Sequence, residues 1–285
     1  MNQPSNEHPV RSLAWSGHTD RGRVRPNNED AFLGLQIDAR EVRHLGRIGA
    51  GPTSMADYVF AVSDGMGGAR SGEVASRITV DRITHLFPRA FRQSAVGLTA
   101  GFGELMDELF AEIHRDIVEL GRAYEECTGM GATLSLCWFT PGWMYFGHIG
   151  DSRVYYLPAE GGIRQVSHDD SHVGWLFRSG QINEREAKTH PRRNALSKAL
   201  GAGNQFVDPQ VGAVAFSPGD RCVLCTDGVV DALYDESIRQ LVREPTGDEA
   251  GLTAAHRLVR AGIERSGRDN ATAMVIEGGG DLSSS

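Results

Sequence analysis

Two stretches far apart in this chain share one design, and that duplication limits what the chain can fold into. Tyr58-Val59-Phe60-Ala61-Val62-Ser63-Asp64-Gly65-Met66-Gly67-Gly68 and Cys222-Val223-Leu224-Cys225-Thr226-Asp227-Gly228 each run through apolar residues and stop at Asp-Gly. A short apolar run bounded by glycine reads as a buried strand. A single Asp-Gly between strands is usually a hairpin turn. Here each one leads toward a helical pattern, so neither strand is followed at once by a partner. Both carboxylates are presented at strand ends, and two such ends side by side would bring two acids together.

The rest of the chain supports one domain. Its 285 residues, 40% of them hydrophobic, can bury a substantial core. No internal repeat or linker divides it, so residues 1–10 read as a flexible leader, 11–277 as the domain and 278–285 as a flexible tail. A formal charge of −8, with 29 Lys and Arg spread along the chain, excludes a nucleic-acid surface, which needs clustered cations. No apolar run approaches the roughly 18 residues of a membrane helix. The first residues lack the basic start and apolar stretch of a signal peptide, so a cytoplasmic protein with no membrane contact is expected. Cys222 and Cys225 form a C-x-x-C, but positions three apart in a strand face opposite ways. They read as buried apolar residues.

Strands are expected at 11–15, 29–35, 58–64, 132–139, 143–149, 154–157, 163–166, 210–216, 222–226 and 271–277, those from 132 to 166 forming an antiparallel meander. Residues 17–28 and 38–57 read as loops. Helices are expected at 73–87, 99–121, 237–243 and 252–263; in the second, Leu105, Leu109, Ile113, Ile117 and Leu120 make one apolar stripe. Residues 167–203 break the rhythm with short helical patterns at 173–179, 184–188 and 194–199, and read as a flap. Strands, then helices, then strands point to an α+β fold with antiparallel sheets.

Asp30, Asp64, Asp151, Asp227, Asp231 and Asp269 all fall at strand boundaries beside small residues. Converging like charges repel unless a cation lies between them. Hard divalent ions such as Mg²⁺ or Mn²⁺ take oxygen ligands, which suits carboxylates without His or thiolate.

Six ordered motifs then carry a resemblance that covers Arg11 to Glu277. They are Arg25-Pro26-Asn27-Asn28-Glu29-Asp30, Val62-Ser63-Asp64-Gly65-Met66-Gly67-Gly68, Thr128-Gly129-Met130-Gly131-Ala132-Thr133, Gly150-Asp151-Ser152-Arg153, Thr226-Asp227-Gly228-Val229-Val230-Asp231 and Asp269-Asn270-Ala271-Thr272. Together they resemble the metal-dependent serine/threonine protein phosphatases of type 2C in their bacterial form. The resemblance implies a four-layer α-β-β-α sandwich of two mainly antiparallel sheets flanked by helices, with two Mn²⁺ or Mg²⁺ ions at one edge. It implies that Asp64 bridges the two ions, that Asp30 and the Gly65 carbonyl hold one, and that Asp227 and Asp269 complete the other. It further implies that Glu29 acts through a bound water, that Asp151 and Asp231 with Asp227 hold a weaker third ion, and that Arg25 grips the substrate phosphate. The activity implied is hydrolysis of phosphoserine and phosphothreonine in proteins, by a monomer opposing a bacterial Ser/Thr kinase.

The sequence also departs from the family pattern. Some members carry His where this chain has Met66, which donates no proton, so the general acid is left unassigned. Asp170 stands where bacterial relatives tend to carry His, within a run from His168 to His172 that reads as a solvated polar turn. Arg23 rivals Arg25 for the phosphate; His148 reads as a packed core residue and His190 carries no signal. Against an enzyme stands a non-catalytic module of the same fold that binds a phosphoprotein or regulates a kinase. Degenerate copies of that kind would have lost acids, and this chain retains all of them.

Overall fold

The apolar run ending at Asp64 is buried along its length because a second sheet covers one face and helices cover the other. Tyr58, Phe60 and Val62 enter a core with Trp15, Phe139, Leu224 and Met274. Val59 and Ala61 point the opposite way, into a core with Phe110, Ile113 and Ile117. Each side of the strand thus has its own apolar partner, so the sequence shows no polar alternation.

The computed structural model describes residues 10–67, 71–95, 101–204 and 206–280. Residues 1–9 of the expected leader, residues 281–285 of the tail, Gly68, and positions 99 and 100 of the second expected helix lie outside them. In chain order come β1 (Ser12–Asp20), β2 (Asp30–Ile37), β3 (Val42–His44), β4 (Ile48–Pro52), β5 (Asp57–Met66), α1 (Ser71–Ala95) and α2 (Phe102–Ala123). Next are β6 (Gly131–Ala132), β7 (Leu134–Thr140), β8 (Trp143–Ile149), β9 (Arg153–Leu157), β10 (Arg164–Gln165), α3 (His172–Arg178) and α4 (Glu184–Thr189). The chain closes with β11 (Leu200–Gly201), β12 (Gln210–Ala215), β13 (Arg221–Cys225), α5 (Asp227–Val230), α6 (Asp235–Arg243), α7 (Ala254–Arg265) and β14 (Ala271–Gly279).

One sheet runs β10-β9-β13-β14-β1-β4 and the other β11-β6-β5-β7-β8-β12, with β2 pairing both β3 and β5. Every strand pairing among the described residues is antiparallel. The expected sandwich is therefore present: α1 and α2 cover one sheet, α5, α6 and α7 the other. The α2 stripe is core, with Leu105, Leu109, Ile113 and Ile117 buried and Leu120 partly so. Cys222 faces the central core and Cys225 the outer one, on opposite sides of β13.

Several expectations are corrected. Residues 38–57 contain two strands, because β4 pairs with β1 along the sheet edge. Its pattern is hidden by Gly49 and Gly51, where a Cβ would meet the Trp15 ring at 2.4 Å and the Tyr58 hydroxyl at 2.2 Å, so aromatics occupy the room side chains would need. β1 continues to Asp20, through residues expected to form a loop. The meander is broken: β8 belongs to one sheet and β9 to the other, so Gly150-Asp151-Ser152 crosses between sheets. Residues 194–199 are not helical, since Ser197 donates its N–H and hydroxyl to the Asp170 carbonyl. Val10 is buried and accepts from the Thr53 hydroxyl, and β14 runs on to Gly279, so position 10 of the expected leader and positions 278 and 279 of the expected tail belong to the folded body. Among the described residues no helix is long and apolar enough to cross a membrane.

Asp57 begins β5 and differs from the acid near its other end. Its Oδ2 accepts from Trp138 Nε1 at 2.9 Å. Burial nevertheless pushes its carboxyl up to about 6. A raised carboxyl stabilises the fold only while protonated, so this contribution is full below about 3.8 and is lost as pH rises through 6. Asp57→Asn keeps an acceptor for Trp138 and removes the charge. Urea unfolding should show it more stable than wild type at pH 8 by roughly 1–3 kcal/mol, with the gain vanishing near pH 4; a loss of stability at pH 8 would contradict this account.

Candidate active site

β2 and β5 pair so that Asp30 lies directly opposite Asp64. Like charges opposite each other destabilise an antiparallel pair, so this register needs something to hold it. The main chain supplies part of the answer. Thr133 donates its N–H to the Asp64 carbonyl at 2.8 Å and accepts the Asp64 N–H on its hydroxyl at 3.0 Å. Gly65 donates to the Glu29 carbonyl at 3.1 Å. A Cβ on Gly65 would meet the Gly72 carbonyl oxygen at 1.9 Å, so only glycine lets α1 start this close to the strand end.

The other sheet delivers the second pair of acids. β13 is followed by Thr226, whose N–H donates to the Thr272 carbonyl and whose hydroxyl accepts the Thr272 N–H, each at 3.0 Å. That places Asp227 just past one strand end and Asp269 just before the neighbouring strand. A Cβ on Gly228 would lie 1.9 Å from the Asn270 carbonyl oxygen, the same close approach in the second Asp-Gly. The Thr226 hydroxyl also donates to Asp30 Oδ2 at 2.8 Å, tying the two sheets together at the acids.

Asp151 enters from the crossing between sheets. Asp170 fixes that crossing: its N–H donates to the Gly150 carbonyl at 2.7 Å and its Oδ2 accepts the Gly150 N–H at 3.0 Å. Beside it, Arg153 makes a two-pronged contact with Asp169 at 2.8 and 2.7 Å and donates to the Tyr155 hydroxyl. Ser171 caps α3 by accepting from the Gly174 N–H. The run from His168 to His172 is thus a bonded network, with Asp170 and Ser171 buried, Asp169 half-buried and only the two histidines exposed, which corrects the expectation of a solvated turn. The residues that order it, Arg153 and Gly150, precede it by more than a dozen positions. His148 is fully buried and bonded to the Ser135 hydroxyl and the Gly150 carbonyl, as a packed core residue should be.

Arg25, Glu29, Asp64, Gly65, Met66, Asp151, Asp227 and Asp269 all line one open cleft of about 290 Å³. Asp231 joins Asp151 and Asp227 in a smaller adjoining cavity. Arg25 stands at the rim, 46% exposed, with Nη2 donating to Asp269 Oδ2 at 2.7 Å. Arg23, its expected rival, is not among the lining residues; its side chain packs on Gly267.

Burial pushes Asp30 up to about 7, with the Thr272 and Thr226 hydroxyls opposing and Asp269 and Glu29 adding to the rise. Asp151 rises to about 7 from burial and then from Asp169 and Asp231. Asp64 and Asp227 are held well above the ordinary carboxylate range, again by burial first and then by neighbouring aspartates, including each other for Asp64. Glu29 is raised by burial, which Arg25 partly offsets.

Among the described residues no three His, Cys, Asp or Glu are drawn together tightly enough to enclose an ion as they stand. The donor set nevertheless fits hard divalent cations. Asp30 Oδ1 and Asp227 Oδ1 are buried without a hydrogen-bond partner, and unsatisfied buried carboxylate oxygens are costly. The facing donors are oxygens, which suits Mg²⁺ or Mn²⁺.

Asn270, Thr133, Thr226 and Thr272 organise the site although none was singled out from the sequence. Asn270 Oδ1 accepts the Glu29 N–H at 2.7 Å, and its amide donates to the Arg21 and Asn27 carbonyls at 2.8 Å each. It therefore pins the loop that carries Arg25 to the strand that follows Asp269. Each of these residues lies inside a motif, but a neutral side chain bonded to main chain leaves no charge pattern to read.

Comparison with known proteins gives this geometry a context. The family described as Protein phosphatase 2C matches residues 48–259. The chain is 32% identical over 269 residues to the serine/threonine protein phosphatase PstP of Mycobacterium tuberculosis, covering 93% of this chain and 45% of that protein. It is 30% identical over 261 residues to the serine/threonine phosphatase stp of Listeria innocua, covering 91% of this chain and 93% of that one. Among solved structures, the catalytic domain of PstP in complex with 2 manganese ions superposes with a TM-score of 0.71 at 29% identity, covering 93% of this chain and 98% of that chain. This chain thus spans less than half of the M. tuberculosis protein and nearly all of the Listeria one. With the family match spanning most of its length and the site's acids gathered at one edge of the sandwich, the chain belongs to the protein phosphatase 2C family.

Proposed function

We propose that this protein hydrolyses phosphoserine and phosphothreonine in other proteins, in a reaction that depends on two Mn²⁺ or Mg²⁺ ions with a weaker third. One observation carries the reading: Asp30 opposite Asp64, beside Asp227, with one oxygen of Asp30 and one of Asp227 buried and unpartnered. Asp64, Asp30, the Gly65 carbonyl, Asp227 and Asp269 would hold two ions, and Asp151 and Asp231 with Asp227 the third. What divalent ions supply is Lewis acidity, which lowers the pKa of water and neutralises phosphoryl charge.

The chain's own residues do the rest. Arg25 uses one guanidinium nitrogen on Asp269. A guanidinium carries five donors in a planar fork, matched to a phosphate at the cleft rim. Glu29, held through its N–H by Asn270, orients water rather than substrate. Met66 lines the cleft and carries no proton, so it takes no part in acid catalysis. The physiological setting we infer is a cytoplasmic monomer reversing a bacterial Ser/Thr kinase.

Turnover of a phosphothreonine peptide tests this reading. Activity should require Mn²⁺ or Mg²⁺, vanish in excess chelator, and fall by at least about 100-fold in Asp64→Asn, the scale set by removing an electrostatic element of a catalytic site. Turnover that persists in chelator would refute it.

The acids also set a stability signature. Asp30 and Asp151 are raised from 3.8 to about 7 in the fold, so between those values the folded protein holds protons that the unfolded chain releases. Their contribution to metal-free stability is therefore greatest below the lower value and is lost as pH rises through the upper one. Asp30→Asn should raise metal-free stability at pH 8 by on the order of 1–2 kcal/mol, a figure reduced because the cleft admits solvent, and do little at pH 4. Thermal unfolding in chelator and in Mn²⁺ measures both effects. The ion should stabilise wild type and lose most of that effect in the variant, and a metal-free variant less stable than wild type at pH 8 would count against the account.

A further inference from the structure

Lys188 is a half-buried amine to which the phosphate chemistry assigns no task. It lies on α4 within residues 167–203, its side chain 12% exposed. Its Nζ donates to the Val230 carbonyl, and to the Leu233 carbonyl at 2.9 Å. The first of these carbonyls ends α5, the four-residue helix that begins at Asp227, and the second lies just beyond it. A helix of one turn does not hold its own shape, and its last carbonyls need partners. A cation there satisfies them and opposes the negative end of the helix dipole. The ammonium is itself placed, with Glu184 Oε1 4.0 Å away and the Tyr234 ring centroid at 5.3 Å.

Five residues farther along the same excursion, Arg193 Nε lies 3.1 Å from Asp231 Oδ2, the two side chains 36% and 37% exposed. Lys188, Arg193, Asp151, Asp227 and Asp231 share the wall of a cavity of about 40 Å³ between the excursion and α5. The excursion therefore has two holds on one acid-bearing turn. Lys188 grips its main chain and leaves the carboxylates free; Arg193 occupies a carboxylate oxygen directly.

We propose that Lys188 and Arg193 are positioning residues through which residues 167–203 set the affinity of the Asp227–Asp231 turn for divalent cations, in opposite directions. Lys188 raises it by fixing α5, and with it the position of Asp227. Arg193 lowers it, because a guanidinium already holds one of the two Asp231 oxygens and offsets the negative charge an ion would meet. The inference rests on the metal-dependent reading above and deepens it by making the excursion a regulator of metal occupancy. Simple packing of the excursion on the site would not separate the two signs, since loosening either contact would then weaken the site.

Calorimetric titration of Mn²⁺ into wild type, Lys188→Met, Lys188→Arg and Arg193→Gln, without substrate, tests the inference. Lys188→Met should weaken binding roughly 10-fold, the lower end of what outer supporting contacts contribute to metal sites. Lys188→Arg, which keeps a cation at the carbonyls, should recover part of that loss. Arg193→Gln should tighten the weakest detected Mn²⁺ by about 3-fold or more, the scale of a partly exposed ion pair. Circular dichroism should show all of them folded. Equal affinity in Lys188→Met and wild type, or a shift of the Lys188→Met and Arg193→Gln affinities in the same direction, would overturn the inference. Should Lys188→Met not fold, Arg193→Gln decides alone, and unchanged or weaker binding there overturns it. A wild-type protein that binds no Mn²⁺ would overturn the phosphatase reading itself, an outcome distinct from variants that match a wild type that binds.

Discussion

The repulsion between Asp30 and Asp64 is the constraint on which the rest of this structure depends. Their residues face each other in the β2–β5 ladder, and the register places both at the same end of it. A one-residue slip would relieve the clash, but it would also turn Leu33, Leu35, Val59 and Ala61 from their core to the opposite face. All four are buried. The hydrophobic pattern therefore enforces a register that electrostatics opposes. The fold stores that conflict at the cleft, where it is relieved by protons or by cations.

The surrounding scaffold is arranged to keep the conflict in place. Thr133 and Thr226 bind the two Asp-Gly strand ends through main-chain contacts, and Asn270 ties Glu29 and the Arg25 loop to the start of β14. Close backbone approaches at Gly65 and Gly228 leave no room for the turns to relax. These are rigid supports on strands and helix starts, which hold reactive groups more closely than free loops do. Natural sites commonly sacrifice local stability in this way for function.

The fold was legible where burial writes a plain pattern. The apolar runs of β5 and β13 and the α2 stripe could be read because each has one dominant apolar environment on every covered face. β4 could not be, because its partners Trp15 and Tyr58 fill the space over Gly49 and Gly51, and a strand made partly of glycine reads as loop. The sheet crossing at Gly150 was equally invisible: successive strands with a short turn look the same whether they pair or part. At the site, the charged members announced themselves by recurrence at strand ends. Asn270 and Thr133 did not, since their work is hydrogen bonding to main chain, which leaves no periodicity and no charge. The order of Asp169 and Asp170 depends on Arg153 and Gly150, distant enough in sequence that the local pattern is that of a polar turn.

Acids elsewhere in the molecule show why those of the cleft differ. Asp169 is gripped by Arg153. Asp220, almost fully buried, accepts from the Tyr156 hydroxyl and from the Ala159 and Ser217 N–H groups. Asp57 has Trp138. Asp169 and Asp220 have donors on both oxygens and Asp57 has one on Oδ2, as burial requires. Asp30 and Asp227 each keep a buried oxygen without one, while their neighbours are further carboxylates. A protein that can satisfy Asp220 three times over can supply donors where only stability is at stake. Of the two, Asp227 lines the cleft, and in the reading proposed above a divalent cation supplies the partner that the polypeptide does not.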